Sequence, residues 1–186
     1  MRIISGLLKG KSINFLKNSI TRPLKDIVKE NIFNILSHSN LVKINFTNSK
    51  VLDAYSGVGS FGIECLSRGA KKATFIESNK YASKILEENL KYLSINSKAS
   101  VFNNKVEKFL EINKQEKYNI LFLDPPFSDN TFIQNLRFIK ENRMYDAKHV
   151  VILHRERKSY DNFENIFNII ITRQYGRSKI FFGLFN

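Results

Sequence analysis

Val51-Leu52-Asp53-Ala54-Tyr55-Ser56-Gly57-Val58-Gly59-Ser60-Phe61-Gly62 is the stretch whose reading decides the fold. An apolar run passes into a turn rich in glycine, and an amphipathic segment follows it. The pattern is that of a strand, a tight turn and a helix, the unit that opens a nucleotide-binding type of sheet. Glycine permits the turn and lets the backbone approach a ligand where a Cβ would stand in the way. The helix would then offer its free N–H groups to an anion.

The spelling Gly57-x-Gly59-x-x-Gly62 is shared with dinucleotide enzymes, and Glu77, closing the next apolar run, suits a ribose-binding acid in either case. The motif marks a cofactor loop without naming the cofactor. Asp53, four residues before the first glycine, tilts the choice. An anion there is unfavourable beside a pyrophosphate, but it can receive the ammonium group of a methionine moiety, directly or through water. The helix end would then face the methionine carboxylate.

Outward from this unit, short apolar runs alternate with amphipathic stretches, which predicts parallel strands joined by helical crossovers. Strands are expected near 50–55, 73–77, 99–103, 118–124, 149–154, 168–174 and 179–185, with helices near 60–69, 80–94, 105–113, 130–142 and 158–165. Only Tyr175-Gly176-Arg177-Ser178 separates the last two strands, too little for a helical crossover, so they should form an antiparallel hairpin. The expected fold is α/β and Rossmann-like, a seven-stranded, mostly parallel sheet with an antiparallel last strand.

Residues 41–186 would make up this catalytic domain, and residues 1–40 read as a hairpin-helix appendage. Its expected parts are a short hairpin pairing 2–5 with 11–15, an extended Thr21-Arg22-Pro23, and a helix from about 24 to 37. Ile27, Ile32, Phe33, Ile35 and Leu36 recur at helical spacing and are expected to face the core, leaving Lys25 and Lys29 outward. No linker or repeat intervenes, so the appendage should be docked rather than tethered.

The second motif is Leu123-Asp124-Pro125-Pro126-Phe127, at the end of the fourth expected strand and on the sheet edge where such folds bind ligands. An exocyclic base amine has its lone pair delocalised into the ring. Reaction at that nitrogen requires the amine to be held with the pair turned outward. Asp124 and the carbonyl of Pro125 are two acceptors for its two N–H bonds. Pro125 and Pro126 restrict the backbone, and Phe127 offers a face for the base. Hydride transfer has no use for this arrangement.

At 186 residues, 42% of them hydrophobic, the chain can bury one substantial core, which excludes disorder. No apolar run approaches the roughly 20 residues that span a bilayer, and the start MRIISGLLKGK is too interrupted by charge for a secretion signal. A cytoplasmic protein is expected. Cys65 stands alone and reads as core packing, and His38, His149 and His154 show no metal-ligand spacing, so neither disulfide nor metal is expected. His154 reads as structural or surface.

Thirty Lys and Arg against 17 Asp and Glu give a net charge of +13, which favours a polyanionic partner. The excess is dense in residues 1–30, where Arg2, Lys9, Lys11, Lys17, Arg22, Lys25 and Lys29 face only Asp26 and Glu30. Lys9, Lys11 and Arg22 are the candidate RNA-binding residues of this segment.

With these motifs in place, the chain resembles the bacterial 16S ribosomal RNA guanine-N2 methyltransferases of the RsmD family. Beyond the glycine loop and the Asp-Pro-Pro-Phe motif, the resemblance includes Arg2-Ile3-Ile4-Ser5-Gly6-Leu7-Leu8-Lys9-Gly10 and the run from Thr21-Arg22-Pro23 to Leu36. Leu66-Ser67-Arg68-Gly69-Ala70 and Tyr175-Gly176 extend it over nearly the whole chain. It implies the class I methyltransferase fold, S-adenosylmethionine as cofactor, and a guanine N2 in 16S rRNA as acceptor, on the 30S subunit or a late assembly intermediate, with a monomer as the default.

On that resemblance Asp53, Ala54, Tyr55, Gly57, Gly59, Glu77 and Ser78 form the candidate cofactor site. Asp124, Pro125, Pro126 and Phe127 hold the base, and Arg22 with the amino-terminal segment lies at the entrance. Where many class I enzymes carry an acid beside the adenine, this chain has Asn103-Asn104-Lys105-Val106, which leaves Asn104 or a nearby N–H for that contact. The motifs alone leave open an adenine-N6 methyltransferase and a non-catalytic RNA-binding assembly factor.

Overall fold

The computed structural model describes residues 1–15 and 26–186. The Thr21-Arg22-Pro23 segment, with Lys17, Arg22 and Lys25, lies outside the described residues. In chain order the elements are α1 (Asp26–His38), β1 (Lys50–Ala54), α2 (Ser60–Ser67), β2 (Lys72–Ile76), α3 (Lys80–Tyr92) and β3 (Ala99–Phe102). They continue with α4 (Val106–Ile112), β4 (Tyr118–Leu123), α5 (Phe132–Glu141), β5 (Tyr145–Glu156), β6 (Asn168–Tyr175) and β7 (Ser178–Leu184).

The seven strands form one sheet in the order β3-β2-β1-β4-β5-β7-β6. β1, β2, β3, β4 and β5 are parallel to one another, while β7 is antiparallel to both β5 and β6. The expected hairpin is therefore present, and β7 alone runs against the rest. Helices cover both faces, which is why β1 and β4 are buried almost throughout rather than in alternation with water. Val51, Phe75, Ile120, Phe122, Ile152 and Phe182 pack beneath residues of α1, α2 and α3. Leu52, Leu121, Leu123, Val151 and Leu153 pack against α4 and α5 on the other face.

From β1 the chain winds outward through β2 to β3, then returns to the far side of β1 as β4. β1 and β4 are thus neighbours whose following connections lie on opposite faces, the switch point at which open α/β sheets bind ligands beyond the carboxyl ends of their strands.

Three local expectations are corrected. The amino-terminal hairpin is reduced to one antiparallel bridge, Arg2 with Ser12, supported by Ile3 N–H to Lys11 O and Gly10 N–H to Ile3 O, both 2.9 Å. In α1, Ile32, Phe33 and Leu36 are buried, but Ile27 is 65% exposed and Lys29 is 0% exposed. The Lys29 ammonium reaches the Arg2 carbonyl at 2.9 Å and the Ser60 hydroxyl at 3.2 Å. Burial pushes its pKa down, while Glu64 and then Asp26 oppose that shift. Arg2 and Ser60 are distant in the chain, and no rule of local spacing contains them.

No helix forms over 158–165. Ser159 Oγ donates to Glu156 O, and Asn162 Oδ1 accepts from Glu164 N–H. Such local bonds compete with a helical ladder, and Asp161 is drawn onto Arg155 at 3.1 Å.

Candidate active site

The loop after β1 turns through left-handed backbone at Tyr55 (φ 62°), Gly57 (φ 55°) and Gly59 (φ 84°). Packing as well as conformation demands glycine here. A Cβ on Gly59 would stand 2.3 Å from Leu86 Cδ1, and one on Gly62 would stand 2.3 Å from Phe75 Cε1. The loop can therefore lie flat against α3 and β2 only without those side chains.

Asp53 lies beneath this loop, 1% exposed. Its Oδ2 accepts the Gly62 N–H at 2.8 Å, which ties β1 to the first turn of α2. Its Oδ1 is buried and has no hydrogen-bond partner among the described residues. Burial pushes the carboxyl pKa well up; the Gly62 N–H opposes this, and the nearby Asp124 and Glu77 charges add to it. An orphaned, desolvated acceptor of this kind fits a cation arriving over the loop.

Glu77 closes β2, with Oε2 accepting from Gly57 N–H and Oε1 from Asn79 N–H, both at 2.7 Å. It thereby joins the glycine loop to the start of α3. Asn103 donates to the carbonyls of Glu77 and Ser78 at 2.8 and 3.2 Å. Asn104, the expected adenine contact, accepts the N–H of Lys105 with its own side chain at 2.9 Å. Tyr55 turns towards α5, where its hydroxyl accepts from Asn135 at 2.9 Å. Burial, and after it the Asp129 charge, push that hydroxyl's pKa up.

Beside this loop, Asp124 donates its N–H to the Ala54 carbonyl at 3.3 Å, so the two motifs meet at the ends of adjacent strands. His154, near the end of β5, places Nδ1 2.7 Å from Asp124 Oδ1 and Nε2 2.9 Å from Ser178 Oγ. Phe127 is 38% exposed, and its ring meets that of His154 edge-on at 84° with centroids 5.8 Å apart.

The next residue along β5, Arg155, is 2% exposed and points to the other face. It donates to the carbonyls of Pro126 (3.2 Å) and Phe127 (3.3 Å) and pairs with Asp161. Its guanidinium also lies 4.2 Å from the centre of the Phe132 ring. Asp129 N–H takes a further bond to the Pro126 carbonyl. The carbonyl of Pro125 is not among these acceptors.

Among the described residues, the amino-terminal arm reaches the glycine loop through Asn14 and Asn89. Asn14 N–H binds Asn89 Oδ1, and Asn89 Nδ2 reaches Val58 O in the glycine loop. The bend of the arm instead rests on the far end of α2, with Leu7 N–H on Ser67 O and Leu8 N–H on Ser67 Oγ. Lys9 and Lys11 are exposed beside that bend, roughly one eight-residue helix, or about 12 Å, from the loop. Among the described residues no group of three His, Cys, Asp or Glu side chains could hold a metal, and no helix is long and apolar enough to cross a membrane.

A family model described as Conserved hypothetical protein 95 matches residues 1–183. Ribosomal RNA small subunit methyltransferase D of Haemophilus influenzae is 35% identical over 159 residues, covering 84% of this chain and 79% of that protein. The YlbH protein of Bacillus subtilis is 31% identical over 184 residues, 97% of this chain and 96% of its own. The chain belongs to the methyltransferase D family. Among solved structures, the yhhF protein of Escherichia coli superposes with a TM-score of 0.84 at 25% identity, covering 100% of this chain and 98% of that one. The HI0767 protein of Haemophilus influenzae gives 0.75 at 30% identity, covering 99% and 97%.

In this methyltransferase D family member, the sequence motifs locate Asp53, Gly57, Gly59, Glu77 and Asp124 at one edge. Reading along the chain missed His154, Ser178, Arg155 and Asn103. A usable signal existed for the first: β4 and β5 are consecutive parallel strands, so the residue closing one stands beside the residue closing the other. Leu123 pairs with Leu153, and Asp124 and His154 follow them.

Proposed function

We propose that this chain transfers a methyl group from S-adenosylmethionine to the exocyclic N2 of a guanine in 16S rRNA. The observation that carries the reading is the Asp124-Pro125-Pro126-Phe127 loop, hydrogen-bonded to the end of β1 beside the glycine turn. When bound, the cofactor supplies an activated methyl group on a sulfonium centre.

The residues fit such a group. The unpartnered Asp53 Oδ1 suits the methionine ammonium, felt directly or through water. The amino end of α2 suits the carboxylate, and Glu77 with Ser78 lies where a ribose would rest. Asp124 Oδ2 and the Pro125 carbonyl take the two N–H bonds of the amine, and Phe127 stacks on the base. The nitrogen lone pair is thereby turned towards the donor.

Most of the protein's contribution is positioning, together with a carboxylate placed where positive charge grows on the nitrogen. Asp124 need not be a strong base, because the methylated, cationic amine sheds its proton readily. The net charge of +13 and the names of the relatives support a ribosomal RNA substrate. The proposed substrate is the cytoplasmic 30S subunit or a late assembly intermediate, approached by a single copy of the chain.

The test is methyl transfer to unmethylated 30S subunits, followed by nucleoside analysis. N2-methylguanosine is expected. N6-methyladenosine would replace the base assignment, and RNA binding without any methylated product would leave an assembly factor.

A further inference from the structure

We infer that His154 is the positioning residue that aims both parts of the base clamp, the Asp124 carboxylate and the Phe127 ring, and that Ser178 anchors the imidazole by its outer nitrogen. The inference rests on the proposed reaction at a base amine. Its geometry is independent of which base carries that amine.

An ionised carboxylate only accepts hydrogen bonds, so the 2.7 Å contact with Asp124 Oδ1 places the imidazole proton on Nδ1. In the neutral imidazole Nε2 is then an acceptor, and the 2.9 Å contact is a bond donated by the Ser178 hydroxyl. Both ring nitrogens are engaged, and the side chain is only 10% exposed. The ring cannot rotate without breaking both bonds.

The consequence falls on Asp124. The terminal torsion of an aspartate is broad, so an unrestrained carboxylate points its acceptors over a wide arc. With Oδ1 held by His154, Oδ2 is the oxygen left for the amine, in one direction. The imidazole also meets the Phe127 ring edge-on, which supports that ring where a base would stack. One side chain thus sets the hydrogen-bonding and the stacking halves of the clamp together. The neighbouring Arg155 holds the Pro126 and Phe127 carbonyls from the other face of β5, so it does not duplicate this role.

Ser178 opens β7, the strand inserted between β5 and β6, and it pairs with Glu156, two residues beyond His154. The reversed strand brings a hydroxyl donor to the outer nitrogen of the imidazole. The groups facing His154 are then Asp124 from the end of β4, Phe127 from the following loop and Ser178 from β7.

The test is turnover of His154→Leu, His154→Asn and Ser178→Ala on unmethylated 30S subunits, with cofactor affinity measured by calorimetry. His154→Leu is expected to lower kcat about tenfold or more, the scale of one charge-assisted hydrogen bond, with cofactor affinity within about twofold of the parent. In His154→Asn the amide Nδ2 can stand where Nδ1 stood, so most of the rate returns. Ser178→Ala should lower kcat about threefold, as for one neutral hydrogen bond.

Parental turnover in His154→Leu, or an asparagine variant as slow as the leucine one, overturns the assignment. Should the leucine variant melt below the assay temperature, the other two decide. A near-parental asparagine rate with a slowed Ser178→Ala supports the inference, and any other pairing overturns it. Failure of the parent chain to methylate any base amine would strike at the proposed reaction instead.

Discussion

Asp53 and Asp124 end neighbouring segments of the same sheet edge, yet their surroundings differ in every respect. Asp53 is almost fully enclosed, with one oxygen on Gly62 N–H and the other without a partner among the described residues. Asp124 keeps 24% of its side chain exposed, and His154 holds one of its oxygens. The first is a carboxyl kept short of solvation. The second is a carboxylate already oriented towards open space. In the proposed reaction, burial and hydrogen bonding give one residue type a donor-side and an acceptor-side task.

The comparison breaks most visibly at Asp124. Asp124→Ala should cost about 1.5–3 kcal/mol in transition-state binding, roughly ten- to a hundredfold in kcat/KM, with little change in cofactor affinity. Steady-state kinetics with parallel calorimetry checks both halves. Unchanged turnover would remove the motif from the reaction.

Asp53→Asn should do the reverse, weakening the cofactor about tenfold while a saturated enzyme keeps most of its rate. Equal affinity in variant and parent would detach Asp53 from the cofactor.

A third expectation concerns pH. The Asp53 pKa is raised above its ordinary 3.8, so its contribution to folding is lost as pH climbs from there through the folded-state value. Binding an ammonium favours the ionised form and releases a proton. Cofactor affinity should therefore rise with pH across that window, and Asp53→Asn should flatten both this slope and that of the cofactor-free Tm. Calorimetry in buffers of different ionisation enthalpy reads the proton directly.

The smallest effect is expected far from both carboxylates. Neutralising Lys9, Lys11 and Arg22 together should weaken RNA association and reduce its salt slope, by up to roughly one unit for each phosphate that is no longer neutralised. Because Lys9 and Lys11 sit at the far end of α2, kcat at saturating RNA should stay near the parental value. An unchanged slope would make the arm solvated surface.

Most of the sheet was legible in the sequence because its signals are local. Apolar runs, the glycine turn and the short Tyr175–Ser178 connection each constrain their own neighbourhood. What could not be read depends on residues distant in the chain. Lys29 looks like an outward-facing lysine until Arg2 and Ser60 are placed around it. Glu64, buried in α2, takes the N–H groups of Ile4 and Ser5 some sixty residues away, and nothing in its helix announces that. His154 is a lone histidine until Asp124 and Ser178 flank it. The helix expected over 158–165 failed for a similar reason, since Arg155 recruits Asp161 from within it.

The placement of β7 between β5 and β6 has a consequence for how the molecule comes into being. β6 is made before β7, yet among the described residues its only neighbour in the sheet is β7. A nascent chain exposed as far as Tyr175 has a bare edge on β5 and a finished strand with nowhere to dock. Order of synthesis and order of assembly are therefore inverted at this end of the sheet, and a translational pause there would extend the interval in which two unpaired edges are open to the wrong partner.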